Sequence, residues 1–290
     1  MSTNISTAVF PVAGLGSRFL PATKATPKEM LPVVDKPLIQ YAVEEAVEAG
    51  ITKMIFVTGR NKRAIEDHFD VAYELEAELA QKQKTDLLDV ARSVAPDGVH
   101  FVFVRQSEAL GLGHAILCAK PLISDSAFAV LLADDLIKGE VGVTKQLIDA
   151  RADANYPVVG LQKIDISQSR SYGIIEPGRA VGGHVMTNRL IEKPAPESAP
   201  SNLAVVGRYI LPFEIFEFIE QLDPGAGSEI QLTDALNNMA TRDGVMGVAF
   251  EGTRFDCGSK SGYLEASVTF GLEHPETGER LRAYLKGLKL

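Results

Sequence analysis

Hydrophobic positions along the chain form short apolar runs that alternate with stretches of helical periodicity. In the first half, strands are predicted at residues 7–12, 53–57, 100–105 and 128–133. Near-continuous apolar runs of this length are typical of strands buried on both faces. Helices are predicted at 39–47, at 62–93 and at 114–120, and Gly50 stands where a C-terminal cap is expected.

The second half continues the alternation. Strands are predicted at 156–164, 202–211 and 245–250, and helices at 143–151, 213–222, 229–241 and the end of the chain. Strands alternating with helices predict an α/β fold with a mixed, mostly parallel central sheet flanked by helices. In such sheets ligands bind beyond the carboxyl ends of the strands. The segment after residue 12 and the pair Asp134-Asp135 both follow strand ends, whereas the linker-like PAPESAPS at 194–201 is either a surface loop or a domain boundary.

Composition and charge exclude several classes of protein and of binding partner. The 290 residues carry a formal net charge of -9, which disfavours nucleic acid and anionic membranes as partners. The chain has no stretch near the ~20 apolar residues of a membrane span and no signal-peptide pattern, so we expect a cytoplasmic protein. Cys118 and Cys257 are far apart in sequence, which favours two buried thiols over a disulfide framework or a zinc site.

The basic residues are unevenly placed. Residues 1–40 contain four basic and only two acidic side chains, although the chain as a whole is acidic. Three of these cations, Arg18, Lys24 and Lys28, follow the glycine-rich AGLG at 13–16. The segment lacks the third glycine of a dinucleotide-binding GxGxxG motif and the Gly-Lys-Ser/Thr of a P-loop. Prolines recur through residues 21–37 and exclude a continuous helix, so the cations lie on a stiff loop suited to binding a polyphosphate.

The run AGLGSRFLPATKATPKEMLPVVDKPLIQY resembles the signature of the sugar-nucleotide pyrophosphorylases. Further family motifs recur in order at VRQSEALGLGHA, LLADD, SYGIIE, LIEKP, VVGRYIL, SEIQLTDAL and RFDCGSKSGY. The resemblance implies a Rossmann-like nucleotidyltransferase fold, with a nucleotide-binding half at about 1–135, a sugar-binding half at about 136–260 and C-terminal helices at about 260–290. PKEMLPVVDKP is similar to the members that use UTP, which implies the Mg²⁺-dependent conversion of UTP and glucose 1-phosphate to UDP-glucose and pyrophosphate. It also implies a homodimer or homotetramer.

The resemblance assigns a role to each motif residue. It implies catalytic roles for Arg18, Lys28 and Lys193, nucleotide binding by Ala13, Gly14, Leu15, Gly16, Glu29, Gln106 and Gly111, sugar binding by Gly173, Glu192 and Lys193, and metal binding by Asp134 and Asp256. Asp135 is interpreted as a neighbour of the metal ligand. A phosphomonoester already carries an anionic oxygen at neutral pH, since its second pKa is ~6, so no general base is needed and His114 is interpreted as structural.

Three alternatives stay open at this point. The chain could be a sister enzyme that uses dTTP or another sugar 1-phosphate, because the loops that select the base and the sugar differ little. It could also be a non-catalytic sensor of nucleotide sugars, although the four residues that such a sensor would have lost, Asp134, Asp256, Lys28 and Lys193, are all present. A nicotinamide-dependent oxidoreductase is disfavoured by the missing third glycine.

Overall fold

The computed structural model describes residues 5–151, 156–225 and 228–289. Its strands are β1 (Thr7–Pro11), β2 (Pro32–Val33), β3 (Lys36–Pro37), β4 (Lys53–Thr58), β5 (His100–Arg105), β6 (Ala127–Leu131), β7 (Asp135–Lys138), β8 (Val158–Lys163), β9 (Gly173–Val181), β10 (His184–Glu192), β11 (Leu203–Pro212), β12 (Val245–Ala249) and β13 (Thr253–Asp256).

The helices are α1 (Leu38–Glu48), α2 (Arg63–Phe69), α3 (Tyr73–Gln81), α4 (Thr85–Ser93), α5 (Gly111–Ala119), α6 (Val143–Arg151), α7 (Ile215–Glu220), α8 (Leu232–Arg242), α9 (Lys260–Glu273) and α10 (Gly278–Gly287). Three short 3₁₀ turns, at Ser17–Phe19, Ala22–Lys24 and Lys28–Met30, carry the proline-rich segment after the glycines. The segment is therefore an irregular loop, as its prolines predicted.

Nine strands form one mixed sheet in the order β5-β4-β1-β6-β11-β8-β12-β10-β9. Strands β5, β4, β1 and β6 are mutually parallel, and β12 is parallel to β8, whereas β11, β10 and β9 make antiparallel pairs. Because the four parallel strands end at the same edge, this edge gathers the residues that follow them. Strands from both sides of the 194–201 segment lie in this sheet, so the segment is a connection within the sheet.

The sheet is buried on both faces, as the apolar runs predicted. Along β1, Val9 belongs to one hydrophobic cluster, whereas Ala8 and Phe10 belong to the cluster on the opposite face. The same alternation occurs along β4 and β6. Successive side chains of a strand point to opposite faces of the sheet, so each face packs against its own hydrophobic core. The two cores together hold in place the edge at which the parallel strands end.

A buried ion pair ties α1 to the centre of the sheet. Arg208 of β11 donates from Nε and Nη2 to the Glu45 carboxylate, the latter at 2.7 Å from Oε2. The backbone N and Oγ1 of Thr144, in the first turn of α6, also donate to Glu45 Oε1. Arg208 Nη1 donates to the carbonyl of Leu132, so this pair also holds the segment that follows β6.

Several features differ from the sequence prediction. The helix predicted at 62–93 is three separate helices, α2, α3 and α4. The β9–β10 hairpin was not predicted, because its turn at Gly182-Gly183 separates strands with many polar positions. Helix α5 begins at Gly111, three residues before the predicted start, so His114 lies within its first turn. Cys257 is buried but Cys118 is only half-buried, and both thiols are free.

No helix in the described part of the chain has both the length and the apolar character needed to cross a membrane. Residue 290, to which the predicted C-terminal helical region extended, lies outside the described residues, as do residues 1–4 of the N-terminus.

Candidate active site

A cleft of about 1010 Å³ opens at the carboxyl ends of the parallel strands. Ten of the residues predicted for the site line it: Ala13, Gly14, Arg18, Gln106, Gly111, Asp134, Gly173, Glu192, Lys193 and Asp256. The sheet explains this grouping, because Ala13 follows β1, Gln106 follows β5 and Asp134 follows β6. Leu15, Gly16, Lys28 and Glu29 do not line the cleft directly.

Asp134 and Asp256 converge although they are far apart in the sequence. Strand β13 pairs antiparallel with β7, which places Asp256 opposite Asp135. The backbone N of Cys257 then donates to the carbonyl of Asp134 at 2.8 Å. A Cβ atom added at Gly258 would lie 2.8 Å from Asp134 Oδ2 and 3.0 Å from Asp256 Oδ1, so both carboxylates face one small space.

Two cations lie at this carboxylate pair. Lys28 Nζ makes an ion pair with Asp134 Oδ2, and Arg18 Nη1 donates to the carbonyl of Gly258 at 3.1 Å. Burial by itself would raise the pKa of Asp134, but the Lys28 ammonium more than offsets burial, so the pKa lies below its usual range. Asp134 is therefore a carboxylate at neutral pH.

Asp135, which also lines the cleft, is buried beside this space and held by partners of its own. Its Oδ2 accepts a hydrogen bond from the backbone N of Gly207 at 3.0 Å, and its Oδ1 pairs with Arg254. A Cβ at Gly207 would clash with the Asp135 carboxylate, so the glycine is needed for this close approach. Burial raises the pKa of Asp135. Asp135 thus supports the segment that carries Asp134, which agrees with its interpretation as a neighbour.

Tyr172 and Arg254 link Asp256 to the loop before β9. The Tyr172 hydroxyl donates to Asp256 Oδ2 at 3.2 Å and lies 3.3 Å from Arg254 Nη1. The same Arg254 nitrogen donates to Gln162 Oε1 of β8. Asp256 Oδ1 accepts from the backbone N of Gly258. Both oxygens of Asp256 are therefore oriented by neighbours before any ligand binds.

The glycine loop folds back onto Lys28. Gly16 has a φ of 67°, and a Cβ there would lie 3.2 Å from the Cβ of Lys28. The Gly16 carbonyl also accepts a hydrogen bond from Thr23 Oγ1 at 2.7 Å. Only glycine combines this left-handed backbone with so close a contact. Leu15, between the two glycines, is 81% exposed and packs against no core cluster of the described residues.

Glu29 departs from the expectation that it holds the nucleoside. It is 1% exposed, and its Oε2 pairs with Lys62 Nζ at 2.7 Å. Burial raises the pKa of Glu29, and the Lys62 and Lys28 ammonium groups act against that rise. The pair joins the 3₁₀ turn of Lys28 to the residue before α2, so Glu29 orients the turn instead of facing the cleft.

Gln106 is 8% exposed and is fixed by the first turn of α5. Its Nε2 donates to the carbonyl of Gly111 at 3.1 Å and lies 3.0 Å from Nδ1 of His114. Gly111 has a φ of 93°, and a Cβ there would lie 2.8 Å from the carbonyl oxygen of Ile230. This glycine therefore lets the loop pack tightly while it presents its carbonyl to Gln106.

Gly173, Glu192 and Lys193 meet at the open end of the β9–β10 hairpin, opposite its turn at Gly182-Gly183. Gly173 pairs with Glu192 in register, and Thr233 Oγ1 of α8 donates to Glu192 Oε2 at 2.6 Å. Lys193 Nζ lies 3.1 Å from Glu192 Oε1. The backbone N of Lys193 donates to the carbonyl of Tyr172, and its φ of 45° is unusual for a residue with a side chain.

Four residues that support the site were not predicted from the sequence: Lys62, Tyr172, Thr233 and Arg254. Each acts on a predicted residue from another element. Tyr172, Thr233 and Arg254 lie within the motifs SYGIIE, SEIQLTDAL and RFDCGS, and this membership was their signal in the sequence. Lys62 had none, because its role depends on a contact with Glu29 that only the folded chain makes.

The donor set at Asp134 and Asp256 suits a hard divalent cation. Among the residues that the structure describes, no group of three or more His, Cys, Asp or Glu side chains is arranged to hold a metal. Mg²⁺ is commonly held by only one or two carboxylates, with phosphate oxygens and water as its other ligands. Two converging carboxylates beside a basic loop therefore fit Mg²⁺ better than a metal that needs a complete protein cage.

The chain is similar to known proteins over almost its whole length. A family profile described as "Nucleotidyl transferase" matches residues 8–271. A UTP–glucose-1-phosphate uridylyltransferase of Staphylococcus epidermidis is 47% identical over 99% of both chains. Among solved structures, a UTP-bound UGPase from Acinetobacter baumannii matches with a TM-score of 0.91 and 43% identity, over 99% of this chain and 100% of that one. A UDP-glucose pyrophosphorylase complexed with UDP-glucose matches with a TM-score of 0.85 and 44% identity, over 93% of this chain and 100% of that one.

Proposed function

Because the chain belongs to the nucleotidyl transferase family, we propose that it is a UTP–glucose-1-phosphate uridylyltransferase. It transfers the uridylyl group of UTP to glucose 1-phosphate and forms UDP-glucose and pyrophosphate. The observation that carries this proposal is the whole-chain match to relatives of that activity, one solved with UTP and another with UDP-glucose. The cleft supports it, because it brings the basic loop and the carboxylate pair together with the predicted base-binding and sugar-binding residues.

The reaction joins two anions. A phosphate oxygen of glucose 1-phosphate forms a bond to the α-phosphorus of UTP, and the bond from that phosphorus to the bridging oxygen of pyrophosphate breaks. No proton has to move, since the attacking oxygen is already ionised at neutral pH. Catalysis therefore consists of holding two phosphates in line and neutralising their charge.

The basic residues fit this requirement. Backbone amides of residues 13–16 face the nucleotide phosphates, and Arg18 binds two oxygens of the leaving pyrophosphate with its planar guanidinium. Lys28 adds a second positive charge beside Asp134. Lys193 binds the phosphate of glucose 1-phosphate, and the Glu192 carboxylate accepts hydrogen bonds from sugar hydroxyls.

Asp134 and Asp256 hold the divalent cation, for which we propose Mg²⁺. When bound, this ion neutralises charge on the phosphate oxygens and orients them for in-line attack. The Tyr172 hydroxyl and the backbone N of Gly258 fix the two oxygens of Asp256 for this purpose. Asp135 keeps the Asp134 segment in place through Gly207 and Arg254.

Release of pyrophosphate, measured with UTP, dTTP, CTP, ATP and GTP against a panel of sugar 1-phosphates, tests this proposal. We expect UTP with glucose 1-phosphate to give the largest kcat/KM and UDP-glucose as the product. A preference for dTTP would identify a sister transferase, and no release with any pair would identify a sensor. Either result would overturn the proposal.

Lys193→Ala is expected to raise the KM for glucose 1-phosphate by about 10- to 100-fold, while the KM for UTP changes by less than about threefold. The reason is the loss of one charge-assisted hydrogen bond to the sugar phosphate, worth about 1.5–3 kcal/mol. Initial rates over both substrate concentrations measure the two values. Lys163→Ala, at an exposed lysine on β8, is the matched control. Equal losses for the two substrates would contradict the assigned role.

Gly258→Ala is expected to raise the Mg²⁺ concentration for half-maximal rate about tenfold, as changes around metal ligands commonly do. The new methyl would lie 2.8 Å from Asp134 Oδ2 and 3.0 Å from Asp256 Oδ1, so one carboxylate must move. Gly287→Ala, where a Cβ meets nothing within 4 Å, serves as the control. An unchanged Mg²⁺ titration would show that the cation binds elsewhere.

We also propose that the chain works as a homodimer or homotetramer. Leu264 and Val268, one turn apart on α9, are exposed apolar side chains, and Tyr284 of α10 is 64% exposed. Exposed apolar residues on neighbouring helices favour burial against another chain. Light scattering behind size-exclusion chromatography gives the mass, and a monomer at micromolar concentration would contradict this.

A further inference from the structure

We propose that His114 fixes the orientation of the Gln106 side-chain amide and so makes the site select uracil over cytosine. The inference rests on the proposed function and adds a positioning residue for base selection. His114 does not have to bind the nucleotide itself. It acts by accepting one of the two hydrogen atoms on the amide nitrogen of Gln106.

The hydrogen bonds determine which way the amide faces. The carbonyl of Gly111 can only accept, so the group of Gln106 that lies 3.1 Å away must be the Nε2 donor. The second hydrogen of the same nitrogen faces His114 Nδ1 at 3.0 Å. Nδ1 must then be the acceptor, which places the ring proton on Nε2. Both donors of Gln106 are thus used within the protein.

The oxygen of the same amide is left for a ligand. Among the described residues, Gln106 Oε1 accepts no hydrogen bond, and it is not one of the sealed polar atoms that lack a partner. Gln106 is 92% buried yet lines the cleft, so its accessible oxygen faces the cleft. Once a base covers this oxygen, the oxygen requires a hydrogen-bond donor from that base, because an unpaired polar group removed from water is costly.

The need for a donor at Gln106 Oε1 distinguishes uracil from cytosine. Uracil carries an N3–H donor, and thymine presents the same donor. Cytosine has a bare N3 acceptor at that position, and its donor on this edge is the neighbouring N4 amino group, where uracil carries the O4 acceptor. A Gln106 Oε1 atom aligned with position 3 would therefore face the lone pair of cytosine N3. A site whose acceptor is aligned with position 3 disfavours the base that has no donor at that position. If the amide were reversed, it would favour cytosine instead, so the direction of the amide decides the specificity.

The frame around His114 is rigid enough to hold the amide. The backbone N of Gly113 donates to the carbonyl of Ile230 at 2.8 Å, and the backbone N of Ile230 donates to the carbonyl of Leu110 at 2.7 Å. These bonds hold the first turn of α5 against the segment before α8. Since Gly111 and His114 lie in that turn, both acceptors of Gln106 Nε2 are set by one element.

Removal of the imidazole tests the proposal. His114→Leu and His114→Ala are compared with wild type for kcat and KM with UTP, CTP and dTTP, and for binding of UTP and CTP by titration calorimetry. We expect the ratio of kcat/KM for UTP to that for CTP to fall about tenfold, the effect of one hydrogen bond of about 1.4 kcal/mol. The change should lie in KM and in affinity, with kcat for UTP within about twofold, because the base is remote from the reacting phosphorus. The preference between UTP and dTTP should not change, since both bases present N3–H.

Two further variants separate orientation from packing. His114→Asn places an amide oxygen where Nδ1 stood, and we expect it to restore the wild-type ratio of UTP to CTP. Cys118→Ala, one turn along the same helix and 4.0 Å from His114 Nδ1, should leave the ratio unchanged. An unchanged ratio in both His114→Leu and His114→Ala would overturn the inference, as would an equal shift in Cys118→Ala. Failure of the proposed function would instead appear in the wild-type protein, as an absence of turnover with UTP.

Discussion

Asp256→Ala is expected to reduce turnover about a thousandfold or more while the protein still folds, because the variant keeps only one of the two carboxylates that hold the divalent cation. The backbone of Asp256 pairs with Asp135 through main-chain bonds, which the substitution retains. Within the described part of the chain, the substitution removes the hydrogen bonds from Tyr172 and Gly258 to the Asp256 carboxylate. Release of pyrophosphate at saturating UTP, glucose 1-phosphate and Mg²⁺ measures the loss, and circular dichroism measures the fold.

Asp256→Asn separates charge from shape in this experiment. The amide oxygen still accepts from Gly258, but the residue no longer carries a negative charge, so we expect a loss close to that of alanine. Asp149→Ala, at an exposed aspartate of α6, is the control for removal of a carboxylate from the surface. Near wild-type turnover in Asp256→Ala with Mg²⁺ would disprove the assignment of the ligand.

Glu45→Leu is expected to lower the free energy of unfolding by about 3–5 kcal/mol, since it leaves the Arg208 guanidinium buried without its partner. The Glu45 carboxylate accepts hydrogen bonds from Arg208 Nε and Nη2, and from the backbone N and Oγ1 of Thr144. Urea denaturation at pH 7 measures the change. Asp149→Ala breaks an exposed pair with Lys145, and its expected cost is below about 0.5 kcal/mol. A similar small loss in Glu45→Leu would show that the buried pair contributes little.

The loss of unfolding free energy in Glu45→Leu is also expected to depend on pH. Burial acts to raise the pKa of Glu45, but Arg208 and Thr144 more than offset it, so the pKa in the folded protein is lowered. A lowered pKa stabilises the folded state above the unfolded value of ~4.3, and this contribution is lost as the pH falls below it. The difference in unfolding free energy between wild type and Glu45→Leu should therefore shrink from pH 7 towards pH 3. A constant difference across that range would contradict the assigned ionisation.

The fold was largely predictable because its strands are buried on both faces. Continuous apolar runs gave β1, β4 and β6 nearly at their observed bounds, and the 143–151 helix matched α6. The β9–β10 hairpin escaped prediction, since a strand with alternating polar positions and a Gly-Gly turn has a weak pattern. The order of the strands was equally hidden. Nothing in the local sequence indicates that β11 inserts between β6 and β8.

The site was predictable where a residue directly follows a parallel strand. Asp134 and Gln106 are such residues, and both line the cleft. The position of Glu29 was not predictable. Its place in a motif next to Lys28 did not reveal that Lys62 would bind its carboxylate inside the protein. Arg254 illustrates the same limit. Its bond to Asp135 depends on the pairing of two strands more than a hundred residues apart.

That pairing of β7 with β13 has a consequence for synthesis on the ribosome. The glycine loop and β1 emerge first, but Asp256 arrives only with the last part of the chain. Contacts between such distant segments form late, because a long loop must close before they stabilise anything. A nascent chain stalled or cleaved before residue 256 would therefore have the basic loop and Asp134 without the second carboxylate of the proposed cation site, so we expect an unfinished copy to be inactive.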